Sequence, residues 1–166
     1  MNFRGRAHKF GDDVNTDYII SGRYKFKTLD MKELAKHVME DLDPDFYSKL
    51  SKGDFIVAGK NFGCGSSREQ APLAIINADV SAVIAKSFAR IFYRNAINTG
   101  LPLLECDTDL INPGDELEVD LGKGIVRNLT QNTDIQVKPL PPFMLKILSD
   151  GGLVEHFKKH GTFNLE

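Results

Sequence analysis

Residues 59–71 read GKNFGCGSSREQA, a glycine-rich bend that delivers Ser66, Ser67, Arg68 and Glu69 to one point. Glycines let the backbone turn sharply and approach a ligand closely. Free N–H groups at a helix start attract negative charge, and the Arg68 guanidinium is a planar fork matched to a carboxylate. The chemistry this suggests is capture of a small anion with hydroxyls beside it. A plainer account uses the same residues: Ser66 or Ser67 caps the helix that follows and Glu69 closes the turn. The run lacks the Gly-Lys-Ser/Thr ending of a P-loop and the spacing of a dinucleotide fingerprint, which disfavours nucleotide binding.

The elements that must position this bend are legible around it. Phe55–Ala58 is a short β-rich apolar run, and the apolar residues after Gln70 continue as a helix, so the bend lies where open α/β sheets bind ligands. Pro72 predicts a kink or a late start for that helix. Upstream, Asp30 and Glu33 form a capping-box-like start, and Met31, Leu34, Ala35, Val38 and Met39 give residues 31–40 a helical stripe. Downstream, Val80–Ala85 reads as a buried strand. Phe88, Ile91, Phe92, Ala96 and Thr99 trace a helix over 87–99 that ends at Gly100, and Leu101–Glu105 is the next strand. This alternation predicts an α/β fold. From Asn112 onward the pattern turns β-rich, with Leu117, Val119 and Leu121 alternating and short strands at 125–129 and 135–137. The tail reads as two short helices split at Gly151–Gly152.

At 166 residues and 42% hydrophobic content the chain suits one domain, 1–166, with a real core. A net charge of −2, from 21 basic and 23 acidic side chains in no long blocks, argues against nucleic-acid or anionic-membrane partners. No apolar run resembles a signal peptide or a spanning helix, so a cytoplasmic protein is expected. Cys64 and Cys106 are expected as free thiols, and two cysteines cannot by themselves hold an iron–sulfur cluster. His8, His37, His156 and His160 are read as surface or packing residues without metal-ligand spacing. Arg90 and Arg94, one helical turn apart, are read as a solvated face outside the site.

Three ordered segments carry a resemblance: the glycine bend GKNFGCGSSRE, KSFARIFYRNAINTGLPLLE at 86–105, and DVNTDYII at 13–20. Together they resemble the small subunits of the aconitase superfamily, and within it the isopropylmalate dehydratase small-subunit family of the short, stand-alone type. The resemblance implies a three-layer β/β/α fold, the swivelling domain. It implies a hydro-lyase that isomerises 2-isopropylmalate and 3-isopropylmalate by dehydration and rehydration in leucine biosynthesis. No cofactor is then bound by this chain; a [4Fe–4S] cluster is expected in a large partner subunit, and the isolated chain is expected to be inactive. By its place in the motif, Ser66 is the base, acting as an alkoxide, while Arg68 clamps a substrate carboxylate and Ser67 adds a hydrogen bond. Thr16 and Asp17 join the rim of the site, with Asp17 orienting an arginine or histidine; the plain alternative is that Asn15-Thr16-Asp17 only turns the chain.

The stretch Gly22–Thr28 falls where the family chooses its substrate side chain. Here it departs from the apolar pattern suited to an isopropyl group: Tyr24 and Phe26 are accompanied by Lys25 and Lys27, and Lys27 stands as the candidate for a second carboxylate. Homoaconitate, citramalate and 2,3-dimethylmalate therefore stay open as substrates, as does self-association of the free chain. A competing class is a non-enzymatic anion-binding regulatory module that uses the bend as a nest without a metalloenzyme partner.

Overall fold

A computed structural model describes residues 1–24 and 30–161. Among them the strands are β1 (Asn2–Lys9), β2 (Phe55–Val57), β3 (Ala82–Ala85), β4 (Leu103–Glu105), β5 (Glu116–Asp120), β6 (Ile125–Asn128) and β7 (Thr133–Gln136). The helices are α1 (Thr16–Ile19), α2 (Met31–Ala35), α3 (Phe46–Lys49), α4 (Gln70–Asn77), α5 (Arg90–Thr99), α6 (Pro142–Ser149) and α7 (Leu153–His160).

Strand β1 belongs to two pairings at once. Its first half, Asn2–Arg6, runs antiparallel to β5, and its second half, Ala7–Lys9, runs parallel to β2. On one side β2, β3 and β4 continue in parallel; on the other, β5, β6 and β7 form an antiparallel meander, giving the order β4-β3-β2-β1-β5-β6-β7. Because side chains alternate along a strand, the parallel strands bury both faces. Ile56, Val83, Ala85 and Leu103 face Ala71, Ala74 and Ile75 of α4 and Phe92 and Ala96 of α5. Phe55, Val57, Ala82, Ile84 and Leu104 face Leu117, Val119, Val126 and Ile135 of the meander, with Ile147 and Leu148 of α6. The layers are therefore antiparallel sheet, parallel sheet and helices, the expected β/β/α arrangement.

Several boundaries differ from the sequence pattern, each for a local reason. The N-terminal strand β1 was not predicted: Arg4, Gly5, Arg6 and His8 give it no apolar alternation, and only Ala7 is fully buried. A Cβ at Gly5 would stand 2.4 Å from the carbonyl oxygen of Gly53, so glycine is required where the turn before β2 crosses β1. The predicted helix 31–40 stops at Ala35, although Asp30 caps it as expected by accepting from the Glu33 N–H. The chain then proceeds through tight turns to Met39, whose φ of +57° breaks the helix and whose N–H donates to the Ile19 carbonyl. The late start expected from Pro72 is observed. Pro72 is the third residue of α4, where its missing N–H has no intrahelical partner to lose. Helix α5 begins at Arg90 rather than 87, because Phe88 is held in a parallel bridge to Phe62. Gly100 ends it at φ +94°, as predicted. The glycine split is likewise present, with φ of +92° at Gly151 and +124° at Gly152.

The histidines are not all incidental. His8 pairs with buried Asp54 at 2.7 Å and His37 with Glu40 at 2.8 Å, which are packing roles. His156 and His160 lie one turn apart on α7, a spacing compatible with metal ligation, and converge on Asp150 at 2.6 and 3.0 Å. Lys159 takes the other carboxylate oxygen at 3.1 Å. The three side chains clamp Asp150 and tie α7 to the end of α6, while His156 Nε2 is buried without a hydrogen-bond partner among the described residues. The hydrogen bond from His156, with those of Lys159 and His160, lowers the Asp150 carboxyl to about 2.

Two outcomes follow. Gly5→Ala forces the β1 backbone against Gly53 and should cost about 1–3 kcal/mol of stability, read by denaturant unfolding. A carboxylate whose folded pKa lies below its unfolded value contributes stability above the unfolded pKa and loses it as pH falls through the folded one. The Asp150 contribution should therefore fade between about pH 4 and pH 2. Thermal unfolding of Asp150→Asn should be less stable than the parent at pH 6, with the gap narrowing as pH is lowered across that window.

Candidate active site

Strands β1, β2 and β3 point the same way, so the segments leaving their C-terminal ends meet at one edge, where ligands bind in open α/β sheets. Backbone hydrogen bonds zip those segments together. Asp13 N–H donates to Lys60 O, Gly63 N–H to Val14 O and Thr16 N–H to Cys64 O, each at 2.8 Å; Ala89 N–H donates to Phe62 O at 3.0 Å. Two glycines make this approach possible. At Gly63 (φ +84°) a Cβ would sit 2.2 Å from the Phe92 ring, and at Gly65 (φ +95°) 2.5 Å from Asn15 Oδ1.

The edge holds a cavity of about 620 Å³ lined by Thr16, Ser66, Ser67 and Arg68 from the zipped segments and by Arg90, Arg94 and Asn95 from α5. Ser66 and Ser67 are exposed, and neither caps α4: its N-cap is Glu69, with no side-chain capping bond. The plain reading of the serines is thereby overturned. Ser66 Oγ makes no hydrogen bond among the described residues, while its carbonyl accepts from the buried Thr16 hydroxyl at 2.8 Å. Ser67 Oγ accepts from Asn95 Nδ2 at 3.4 Å. The Arg68 guanidinium meets the Asp17 carboxylate at 2.6 Å, with Arg68 mostly buried and Asp17 exposed. Arg68 Nε is buried without a hydrogen-bond partner, and a Cβ at Gly22 would lie 3.3 Å from the guanidinium nitrogens. Asn15 does play the plain turning role, capping α1 by accepting from the Asp17 N–H. Thr16 and Asp17 do more, reaching Ser66 and Arg68.

Among the described residues no aspartate or glutamate lines the cavity, whereas three arginines do. The N-termini of α4 and α5 both open beside it without a capping side chain, which leaves the positive helix ends facing it, although in α4 the Ala71 N–H donates to the Arg68 carbonyl at 3.3 Å and Pro72 carries no N–H. Arginines and open helix N-termini give the cavity the polarity that suits an anion. Arg90 and Arg94, placed outside the site by the sequence pattern, are part of its wall, as is Asn95. Their one-turn spacing was visible, but the turn of chain that brings the start of α5 against Gly63 was not.

Of the substrate-choosing stretch, Tyr24 is described, while Lys25, Phe26 and Lys27 lie outside the described residues. Tyr24 stacks on His37 with 4.1 Å between centroids, and its hydroxyl donates to Glu40, the main cause of its raised pKa. It shares a small hollow with Arg68, Ile20 and Leu34, beside the larger cavity rather than in its wall. Both cysteines are free. Burial pushes the Cys106 thiol up to about 12, and Cys64 is half-buried in the bend. Two thiols, one held protonated, do not fit a [4Fe–4S] cluster, which uses three or four thiolates. No helix among the described residues is long and apolar enough to cross a membrane.

Known proteins share this architecture and these segments. The family described as aconitase C-terminal domain matches residues 16–108. A 3-isopropylmalate dehydratase small subunit 2 from Archaeoglobus fulgidus is 67% identical over 165 residues, 99% of this chain and 100% of that protein. A methanogen homoaconitase small subunit from Methanothermobacter thermautotrophicus is 57% identical over 156 residues, 94% of this chain and 91% of that protein. The crystal structure of 3-isopropylmalate dehydratase (leuD) from Methanocaldococcus jannaschii superposes with a TM-score of 0.93 at 52% identity, covering 97% of this chain and 96% of that one. With more than half its length matched by the family and a fold that coincides with a solved relative, the chain belongs to the aconitase C-terminal domain family.

Proposed function

We propose that the chain is the small subunit of a 3-isopropylmalate dehydratase, interconverting 2- and 3-isopropylmalate with a large subunit that carries a [4Fe–4S] cluster. The observation that carries this reading is the convergence of Ser66, Ser67, Arg68 and Thr16 on one carboxylate-free, arginine-lined cavity. Relatives bearing that name and matching nearly the whole chain support it. When bound on the partner's side, the cluster supplies a Lewis-acidic iron for the substrate hydroxyl.

The chain's own residues do the rest. Arg68 holds a substrate carboxylate, and Asp17, 2.6 Å from it, fixes the plane of the guanidinium. Ser66 takes the proton α to that carboxylate, and the Thr16 hydroxyl holds the Ser66 backbone in place. A serine hydroxyl is a very weak base, and Ser66 is exposed in the chain alone. Its pKa falls far enough only when water leaves and the positive field of Arg68 and the helix N-termini acts at low dielectric. The partner that closes the cavity is thus part of the base, which is why the chain by itself should be inactive.

A second substrate reading rests on a specific observation. The homoaconitase relative is nearly as similar as the isopropylmalate enzymes, and Lys25 and Lys27 put two cations in the substrate-choosing stretch. Homoaconitate, with its additional carboxylate, is the alternative.

Mixing the chain anaerobically with its cluster-loaded large subunit should give 3-isopropylmalate turnover that neither subunit shows alone. A panel that includes homoaconitate identifies the substrate, and clear preference for the tricarboxylate would replace the first choice. In the same mixture Ser66→Ala should lower kcat by about 10²- to 10⁴-fold with substrate affinity retained. An anion-binding module without catalysis would tolerate that substitution.

A further inference from the structure

Helix α5 carries more positive charge than one carboxylate clamp needs. Arg90 and Arg94 are exposed and make no ion pair or side-chain hydrogen bond among the described residues. Between them Ile91 is 55% exposed. Both arginines line the catalytic cavity on one side of the helix and, on the other, a second hollow of about 560 Å³ whose apolar wall includes Phe88, Tyr93, Phe143 and Met144. The one carboxylate of that hollow, Glu105, is engaged by Lys138 at 3.6 Å and leaves the arginines uncompensated. The guanidiniums therefore stand on a ridge between two depressions.

A small hydroxy acid seated against Ser66 and Arg68 occupies one depression. The catalytic cavity alone is within the range of about 300–1,000 Å³ that takes drug-sized ligands, larger than such an acid requires. A polypeptide crossing the ridge meets both. Exposed arginines flanking an exposed aliphatic residue, next to a 40%-exposed Phe143 in an apolar hollow, have the composition of a protein interface rather than of a substrate pocket. Arg68, by contrast, is mostly buried and already aimed by Asp17.

We propose that the Arg90–Ile91–Arg94 ridge of α5 and the hollow beside Phe143 dock an acidic segment of the large subunit, one that places carboxylates on the two guanidiniums and an apolar side chain against Phe143. This rests on the heteromeric reading above. Docking there roofs the catalytic cavity, so assembly and exclusion of water from Ser66 are one event.

The test is the affinity of the chain for its cluster-loaded large subunit, measured by titration calorimetry from low to high salt. Arg90→Gln/Arg94→Gln should weaken assembly at least tenfold at low salt and flatten its salt dependence. Phe143→Ser, a neutral change, should also weaken assembly, with its salt dependence kept. Thermal unfolding of each variant confirms that it folds, and Arg90→Lys/Arg94→Lys should retain most of the affinity. Turnover lost by Phe143→Ser, at a position outside the catalytic cavity, should return with excess large subunit in dilute mixtures. Unchanged assembly of the double arginine variant overturns the proposal, and a raised KM beside unchanged assembly assigns the arginines to substrate. If the unaltered chain fails to bind the large subunit at all, the heteromeric reading falls and this inference with it. Binding by the unaltered chain with no effect of any variant removes this inference alone.

Discussion

The structure depends on the double use of β1. One strand of eight residues supplies an antiparallel edge to the meander and a parallel edge to the helix-covered sheet, and it changes partner between Arg6 and Ala7. This is feasible because Gly5 lets the turn before β2 pass almost in contact with the strand. It has consequences at both ends. Toward the N-terminus it brings the two sheets face to face, so that Phe55, Val57 and Ile84 are buried against Leu117 and Val119. Toward the C-terminus it launches the segment containing Thr16 and Asp17 next to the segment leaving β2, and the site exists only where those two meet.

At the site, rigidity and charge come from different sources. Position is set by backbone: parallel bridges at Asn15–Cys64 and Phe62–Phe88 extend the sheet past its regular strands, and positive-φ glycines let the chains touch. Charge is set by what is missing. Two helices begin beside the cavity without capping side chains, and no carboxylate among the described residues lines it, so positive helix ends and arginines dominate the field. A serine at either N-cap would add helix stability of about 1 kcal/mol and weaken the site, an instance of local stability yielding to function.

How much of this was legible varied with the kind of signal. The parallel strands β2 and β3, the late start of α4, the Gly100 cap and the Gly151–Gly152 split were all readable, because apolar runs, proline and glycine act locally. The glycine bend was readable as a sharp turn with clustered hydroxyls and an arginine for the same reason. The Arg68–Asp17 pairing was legible only through resemblance, since residues 51 positions apart carry no spacing signal. Strand β1 was missed because its neighbours, not its own polarity pattern, hold it in place. The arginines of α5 were dismissed because helical spacing reveals which residues share a face but not what lies opposite that face. His156 packs as expected, but its convergence with His160 on Asp150 was invisible in the sequence, because Asp150 is a turn residue outside the helix.

The long reach of β1 also shapes how the chain acquires its structure. Strand β1 pairs with residues 55–57 and with residues 116–120, more than a hundred positions later. Contacts so distant in sequence are formed slowly, because the entropy of closing the intervening loops opposes them. A nascent chain therefore exposes β1 and the unfinished edge of the parallel sheet until residues 116–120 have been made. The anion site inherits that schedule: Thr16 reaches Ser66 only after β1 and β2 are aligned, so partially folded chains present neither the assembled cavity nor a completed face for a partner to select.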